Sequence, residues 1–251
     1  MDLVDHYAGI RETRRIPFAR EAIALSQIRA HPAAAGRAVT TPGARPPRLL
    51  DAGCGDGTFL SFVDAAFPAL ALDGVDFSQD RLEGRQPSRA ALRQADLNRG
   101  LPYEDAAFDV VYSGEVLEHL LDPDTFLRHV RRVMRPGGLL VLSTPNLFAW
   151  YNRALMLCGV QPLFVEMSNE SGSVGVGPLK RFKLQERPVG HVRIFHPAAL
   201  RDLLALHGFR VLRMHGSSFE RFPGLLRRLD ALVAKVPSLA SDLVVSAAPV
   251  A

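Results

Sequence analysis

A regular alternation of strand-like and helix-like runs constrains this chain more than any other feature. Between Arg48 and Asn146, the β-rich runs RLLDA, LALDGVDF, FDVVYS and GLLVLSTPN are interleaved with the helical runs TFLSFVDAAF and LDPDTFLRHVRRVMR. Strands joined through helices pair in parallel, and the helices then cover both faces of the sheet. We therefore expect an α/β fold built on a doubly wound, mostly parallel sheet.

Segments of a different kind flank this core. Residues 1–47 predict one amphipathic helix and a Pro- and Gly-containing linker, so that a new domain starts after Pro47. The apolar stripe of that helix comprises Ile16, Phe18, Ala19, Ile23, Leu25 and Ile28. Residues 147–190 break the alternation, apolar at first and Gly-rich later, which is typical of a functional lid.

Proline and glycine mark where helices of the core begin and end. Pro123 is expected in the first turn of one helix, and Pro136-Gly137-Gly138 is expected to end it. After the lid, the pattern resumes with a helix that has Pro197 in its first turn, followed by the strand RVLRMHG, the helix LLRRLDALVAKV and the strand DLVVSAA.

Composition excludes several classes of protein. The 251 residues are 47% hydrophobic and 22% charged, which suits a globular core. No apolar run approaches the roughly 18 residues of a membrane span, and the charged N-terminus is unlike a signal peptide, so we expect a cytoplasmic protein. Cys54 and Cys158 alone cannot form a disulfide framework. The net charge of +4 and the pI of about 9.4 raise the question of an anionic partner.

The sharpest local signal is a strand that ends in the turn Gly53-Cys54-Gly55-Asp56-Gly57 and opens a helix. Its G-x-G-x-G spacing is neither the dinucleotide fingerprint G-x-G-x-x-G nor a phosphate-binding P-loop. Glycines allow the backbone to turn tightly and to approach a ligand closely, so a nucleotide-like cofactor is expected across the turn. Asp76 ends the second strand with a carboxylate that suits a ribose diol, and Asp96 ends the third where it could accept an adenine amino group.

Together, these motifs resemble the class I S-adenosylmethionine-dependent methyltransferases, in the small-molecule branch related to the ubiquinone and menaquinone methyltransferases. The resemblance covers residues 48–146 and 190–216, and it rests on LLDAGCGDGTFL, GVDFS, ADL, LPYEDAAFDVVYSGEVLEHL, LRHVRRVMRPGGLLVLSTPN and HVRIFHPAALRDLLALHGF. It implies a Rossmann-like, seven-stranded sheet, with residues 48–251 as the methyltransferase domain and the lid inserted after the fifth strand. It also implies S-adenosyl-L-methionine as the methyl donor and S-adenosyl-L-homocysteine as the product.

The resemblance also implies roles for individual residues. Asp51 would orient the methionine part of the cofactor, Asp76 would hold the ribose, and Leu97 would lie beside the adenine. The segment from Ser113 to Glu115 would close over the methionine end. The cofactor-binding residues expected on this basis are Asp51, Gly53, Gly55, Gly57, Asp76, Phe77, Asp96, Leu97, Ser113 and Glu115.

Methyl transfer to a hydroxyl needs a place for the proton of the acceptor, and histidine is the usual base. His119 is the first candidate, because Glu115, Glu118 and His119 are expected to begin the helix after the fourth strand, at the carboxyl edge of the sheet. His191 is the second candidate, whereas His196 precedes Pro197 as a helix-entry residue. Glu115 stands where an inverted zinc-protease helix would need histidine, so we expect no metal.

The acceptor is expected to be a small molecule, with oxygen the first choice of atom and an amine or sugar nitrogen the second. Asn146, Trp150 and Tyr151 are candidates for its pocket, although the amide of Asn146 could equally bind backbone and the two rings could pack the lid. Lys180, Arg181, Lys183 and Arg187 would suit an anionic acceptor, and the apolar half of the lid would suit an apolar one. A non-catalytic cofactor-binding regulator is the alternative from another functional class.

The distribution of charge argues against a nucleic-acid substrate. Residues 1–48, 49–146 and 147–251 carry net charges of +4, −6 and +6, so the predicted cofactor core is acidic. Ser113-Gly114-Glu115-Val116 also occupies the place where enzymes that methylate base amines carry an Asn/Asp-Pro-Pro-aromatic run. The sequence shows no separate RNA-binding module. It is compatible with a homodimer.

Overall fold

The predicted sheet is present, with seven strands in the order β3-β2-β1-β4-β5-β7-β6. The computed structural model describes residues 16–34, 45–84, 88–177, 180, 188–220 and 222–250. Strands β1 to β5 pair in parallel, whereas β7 pairs antiparallel with both β5 and β6. This is the α/β, Rossmann-like, mostly parallel architecture expected from the sequence.

The secondary structure follows the predicted alternation closely. The strands are β1 Arg48–Ala52, β2 Ala71–Asp76, β3 Ala91–Gln94, β4 Phe108–Gly114, β5 Met134–Pro145, β6 Phe209–Ser217 and β7 Asp242–Pro249. The helices are α1 Ala19–Ala30, α2 Thr58–Ala66, α3 Gln79–Glu83, α4 Pro123–Val133, α5 Trp150–Leu157, α6 Pro197–Leu206 and α7 Gly224–Val233, with a 3-10 turn at Leu117–His119.

Alternate residues of the central strands build two hydrophobic layers, one on each side of the sheet. In β1, Leu49 joins the layer formed with α1 and α2, and Leu50 joins the layer formed with α4 and α6. Because successive side chains of a strand point to opposite faces, strands buried on both faces are continuously apolar. This explains why the strand runs of the core are so hydrophobic.

The boundary between α4 and β5 differs from the sequence expectation. Helix α4 ends at Val133, before Pro136-Gly137-Gly138, and these three residues lie within β5. The pairing jumps from Phe108 with Met134 to Val110 with Leu139, so the Pro-Gly-Gly segment forms an irregularity in the strand rather than the end of the helix. Such bulges hold residues that cannot continue a ladder.

The N-terminal helix is present, and Ile23, Leu25 and Ile28 of the expected stripe pack into the core. Helix α1 packs against β5, β6 and β7, with Ala24 and Ile28 fully buried. The polar Glu21 and Gln27 are also buried, whereas Ile16 of the expected stripe is 76% exposed. The remainder of the first 47 residues lies largely outside the described residues. Among the described residues, no helix combines the length and the apolar character that crossing a membrane requires.

Gly53 is the position of the turn where a side chain would cost most. Its φ is +91°, and a Cβ there would collide with Val116. We expect Gly53→Ala to lower the free energy of unfolding by about 2 to 3 kcal/mol, because the backbone strain adds to the clash. Gly159→Ala is the matched control, since that glycine has φ +68° but a Cβ would meet no described atom within 4 Å. If urea unfolding shows the same loss of unfolding free energy in both variants, the clash with Val116 does not contribute.

Candidate functional site

The glycine turn lies at the carboxyl end of β1, at the centre of the sheet. Gly53, Gly55 and Gly57 all have positive φ, and Gly57 immediately precedes α2. A Cβ at Gly55 would collide with the guanidinium of Arg81, whereas a Cβ at Gly57 would meet no described atom within 4 Å. At Gly57, the turn therefore presents bare backbone to an open space beside the start of a helix, where N–H groups favour polar and anionic ligands.

Asp76 ties the glycine turn to the end of β2. The Gly55 N–H donates to Asp76 Oδ2 over 2.8 Å, and the Ser78 N–H donates to Oδ1 over 2.9 Å. The carboxylate is almost fully buried. Each carboxylate oxygen has a second lone pair, so Asp76 retains the capacity to accept two more hydrogen bonds from a vicinal diol.

Asp51 is the second buried carboxylate of the site. It is 1% exposed, and its Oδ1 has no hydrogen-bond partner among the residues that the structure describes. Burial, and then the charges of Asp76 and Glu21, raise the pKa of Asp51 well above its usual value, while Arg81 acts in the opposite direction. A buried carboxylate without a partner is costly, so this position favours a cationic or hydrogen-bonding ligand.

The residues expected around an adenine lie at the end of β3. Leu97 is buried there, whereas Phe77, another candidate for cofactor binding, follows β2 and is half-buried. Asp96 is exposed, and its Oδ1 accepts hydrogen bonds from the backbone and side-chain amides of Asn98, both over 3.0 Å. Arg99 lies 3.5 Å from its Oδ2. The contact of Asp96 with a cofactor stays a prediction.

The end of β4 and the residue after it are held by contacts to three other elements. Ser113 Oγ donates to the Ala52 carbonyl over 3.0 Å, which fixes the end of β4 against β1. Glu115 adopts a φ of +55°, and Ser143 Oγ donates to its Oε1 over 2.8 Å. Arg20 of α1 approaches the same oxygen to 3.8 Å. The N-terminal helix is thereby linked to the segment expected to close over the methionine end.

Arg20 is a cation within a partly buried acidic cluster. Besides Glu115, it approaches Glu220 to 3.8 Å. Burial lowers the pKa of the guanidinium, but attraction to Glu115 and Asp242 outweighs that effect and raises the pKa above its usual value. Asp242 itself is fully buried, which raises the pKa of its carboxyl group. The guanidinium therefore balances several carboxylates that would otherwise repel one another.

We expect Arg20→Met to lower the free energy of unfolding by about 2 kcal/mol, because partly buried carboxylates lose their counter-ion. Arg29→Met on the same helix is the control: Arg29 is exposed and stacks on Phe67, so its loss should cost less than about 1 kcal/mol. Urea unfolding of both variants measures the difference. Equal losses would show that the acidic cluster does not depend on Arg20.

The 3-10 turn brings Glu118 and His119 to His191, which returns from the lid. The ring centroids of His119 and His191 are 4.8 Å apart, and His119 Nε2 lies 4.0 Å from Glu118 Oε1. Burial and then His191 lower the pKa of His119 to about 4, and burial lowers the pKa of His191. The expectation that Glu115, Glu118 and His119 begin a helix was wrong, since α4 starts only at Pro123.

A carboxylate holds the end of the predicted lid in place. Glu166 accepts hydrogen bonds from the N–H groups of Val189, Gly190 and His191 over 2.6 to 3.0 Å. The Val192 N–H donates to the Glu118 carbonyl over 2.8 Å. His191 is therefore positioned through its backbone from both the lid and the 3-10 turn.

Aromatic rings connect the start of the lid with His191. Tyr151 and Phe222 lie edge to face at 5.2 Å, Phe222 and Phe219 at 5.2 Å, and Phe219 and Phe164 at 5.5 Å. Phe164 then lies 5.9 Å from the His191 ring. Such a row of rings is suited to an apolar or planar ligand.

Other candidates have structural contacts. Asn146 is fully buried: its Nδ2 donates to the Ala240 carbonyl over 2.8 Å, and its Oδ1 accepts from the Phe148 N–H, which is the backbone role left open by the sequence. Trp150 Nε1 donates to Asp230 over 2.8 Å. His196 caps α6. Of the basic lid cluster, Arg181, Lys183 and Arg187 lie outside the described residues.

The sequence did not indicate the roles of Arg20 and Arg81, or that Glu118 lies close to His191. Arg20 lies on the N-terminal helix, and nothing in its sequence neighbourhood indicates an acidic cluster. Arg81 follows Asp76 by five positions, a spacing that could have placed it over the glycine turn through α3. The meeting of Glu118 with His191 depends on how the lid returns, which has no local sequence signal.

Comparison with known families gives a match over most of the chain. A family model described as "Methyltransferase domain" matches residues 25–214. A Mycolicibacterium smegmatis protein named "Probable S-adenosylmethionine-dependent methyltransferase" is 31% identical over 166 residues, which cover 65% of this chain and 61% of that protein. A demethylmenaquinone methyltransferase of Staphylococcus aureus is 32% identical over 133 residues, covering 49% of this chain and 55% of the relative.

Solved structures show the same fold. An S-adenosylmethionine-dependent methyltransferase from Mesorhizobium loti superposes with a TM-score of 0.54 at 21% identity, over 92% of this chain and 98% of that one. The matched regions span between 30% and 61% of the lengths of the first curated relatives.

Proposed function

The chain belongs to the methyltransferase domain family, and we propose that it transfers a methyl group from S-adenosyl-L-methionine to a hydroxyl oxygen of a small-molecule acceptor. Relatives named as probable S-adenosylmethionine-dependent methyltransferases support the cofactor. Membership of the family does not determine which atom is methylated. The proposal that it is oxygen depends on the two histidines, His119 and His191.

The glycine turn between two buried carboxylates carries this proposal. Asp76 would accept hydrogen bonds from the ribose diol, and Asp51, whose Oδ1 has no partner in the described part of the chain, would attract the cationic amino group of the methionine part. The open space beside Gly57 leaves room for this part of the cofactor. When bound, the cofactor supplies an electrophilic methyl group on a sulfonium sulfur.

The histidine pair supports oxygen as the acceptor atom. The Nδ1 of His119 faces the Gly190 carbonyl at 3.1 Å, and a carbonyl only accepts, so this nitrogen carries the ring proton. Nε2 then holds the lone pair that can take a proton from a hydroxyl group. His191 has the same arrangement toward the Phe164 carbonyl and is the second candidate base.

The aromatic row and the lid support an apolar or planar acceptor. We propose that residues 147–190 cover the acceptor and that Tyr151 contributes to its pocket, because the row of rings extends from Tyr151 to His191. Closure over the site would exclude water and align the hydroxyl with the bond to be broken.

Two measurements test the proposed function. Calorimetry with S-adenosyl-L-homocysteine should show one binding site per chain. Incubation with S-adenosyl-L-methionine and panels of phenols, alcohols and amines should then produce a mass gain of one methyl group in hydroxyl compounds, detected by mass spectrometry. Methylation confined to amines would reject the oxygen assignment. Cofactor binding with no product in any panel would favour a regulator.

A further inference from the structure

Glu118, His119 and His191 bring three potential metal ligands together in a place where the sequence predicted none. One ligand atom of each residue lies within 4.8 Å of the others. We propose that this cluster binds a divalent transition-metal cation, with Zn²⁺ the preferred ion. Two imidazoles and one carboxylate form a donor set that zinc takes up readily in catalytic sites.

The hydrogen bonds of the two rings prepare them for coordination. His119 Nδ1 lies 3.1 Å from the Gly190 carbonyl and His191 Nδ1 lies 3.0 Å from the Phe164 carbonyl. Because both partners are acceptors, both Nδ1 atoms carry the proton and both Nε2 atoms hold a lone pair. Metal-binding histidines are typically oriented in this way, with the distal nitrogen bound to a backbone carbonyl or a carboxylate.

Glu118 provides an independent observation that points to a ligand. Its side chain is 0% exposed; Oε2 accepts a hydrogen bond from Thr144 over 3.0 Å, while Oε1 has no hydrogen-bond partner within the described ranges. Oε1 is also the oxygen that faces His119 Nε2 at 4.0 Å. A buried oxygen left without a donor is costly, and a cation between the carboxylate and the imidazole would satisfy it.

The backbone around the cluster is fixed by contacts from both sides. The Glu118 carbonyl accepts from the N–H groups of Val192 and Arg193, and Glu166 binds three consecutive N–H groups up to His191. Ligands of a tetrahedral zinc ion lie about 3.4 Å apart, given bonds of about 2.1 Å, so modest side-chain rotations would close the cluster. Glu115 is engaged by Ser143 and Arg20 and is not included.

Three protein ligands leave a coordination position open for another group. Resting on the proposed function, we assign this position to the acceptor hydroxyl. The cation withdraws electron density from the oxygen, so the O–H bond breaks and its proton passes to solvent water before the site closes. The C–O bond to the methyl group then forms as the C–S bond breaks, which leaves the neutral thioether. In this arrangement, the two imidazoles act as ligands rather than as bases.

Metal binding by the chelator-treated full chain tests the proposal without any methyl acceptor. Zn²⁺ is titrated by calorimetry in competition with a chromophoric chelator, and Co²⁺ is used as a visible-absorption probe of the ligand geometry. The variants are Glu118→Gln and His191→Gln. The matched control is His215→Gln, an exposed histidine of β6 outside the cluster.

We expect the wild type and His215→Gln to bind one equivalent of Zn²⁺, and Glu118→Gln and His191→Gln to bind it about 100-fold more weakly or worse. The Co²⁺ absorption bands should disappear in the same two variants. Absence of stoichiometric binding by the wild type, or equal affinity in all variants, would overturn the proposal. Retained S-adenosyl-L-homocysteine binding shows that a variant is folded. Failure of the wild type to bind that ligand would count against the proposed function and leave the metal result standing.

Discussion

Asp76→Asn should raise the Kd for S-adenosyl-L-homocysteine by about 100-fold, which corresponds to about 2.7 kcal/mol. The substitution removes the charge that strengthens hydrogen bonds from a ribose diol. It also turns an amide N–H₂ toward the N–H of either Gly55 or Ser78, both of which donate to the carboxylate. The substitution therefore weakens both the hydrogen bonds that hold the glycine turn and those to the ligand. Calorimetry measures the sum of the two effects.

Asp73→Asn is the matched control for this experiment. Asp73 is a buried carboxylate of the same strand, but it pairs with Arg48 at 2.8 Å. Its replacement should lower the free energy of unfolding while leaving ligand affinity within about two-fold of the wild type. Similar affinity losses in both variants would mean that Asp76 acts through the stability of β2 and not through contact with the ribose.

His119→Ala should lower kcat by about 100-fold or more while the Kd for S-adenosyl-L-homocysteine stays within about two-fold of the wild type. The ring faces Glu118 and His191 and lies outside the glycine turn, so its loss removes acceptor activation and spares cofactor binding. Steady-state kinetics with an acceptor found in the panel, combined with calorimetry, separates the two quantities. His215→Ala should leave both unchanged.

The response of Glu118→Gln shows in which way His119 acts. If the imidazole is a metal ligand, Glu118→Gln should reduce kcat to a similar extent, because the cation loses its negatively charged ligand. If His119 is a general base, Glu118→Gln should have a much smaller effect on kcat. An unchanged kcat in His119→Ala would reject both roles.

The fold was predictable because its signals are local. Leu49 and Leu50 enter opposite hydrophobic layers, and strands with two buried faces show as unbroken apolar runs in the sequence. The end of α4 was misplaced because Pro136 can lie in an irregular strand as readily as after a helix. Proline and glycine in a sequence indicate that a regular element is interrupted, but they do not indicate which element follows.

The sequence offers candidate site residues mainly at the ends of strands. The choice of Asp76 follows from the rule that ligands bind at the carboxyl edge of a parallel sheet, whereas the choice of Asp51 follows from the resemblance to the methyltransferases. The proximity of Glu118 and His191 depends on the return path of the lid, and the role of Arg20 depends on how α1 packs across β5 to β7. These contacts join residues far apart in the chain, so no local pattern encodes them.

The position of β7 in the sheet constrains the order in which this protein can fold during synthesis. The last strand in the sequence is inserted between β5 and β6, and β6 has no other strand partner in the described sheet. Until residues 242–249 emerge from the ribosome, β6 lacks its strand partner and one edge of β5 stays unpaired. The glycine turn is synthesised much earlier. A nascent chain paused before Asp242 would therefore already contain the elements of its cofactor site. It would also expose two unpaired strand edges, which promote aggregation, so we expect it to bind chaperones.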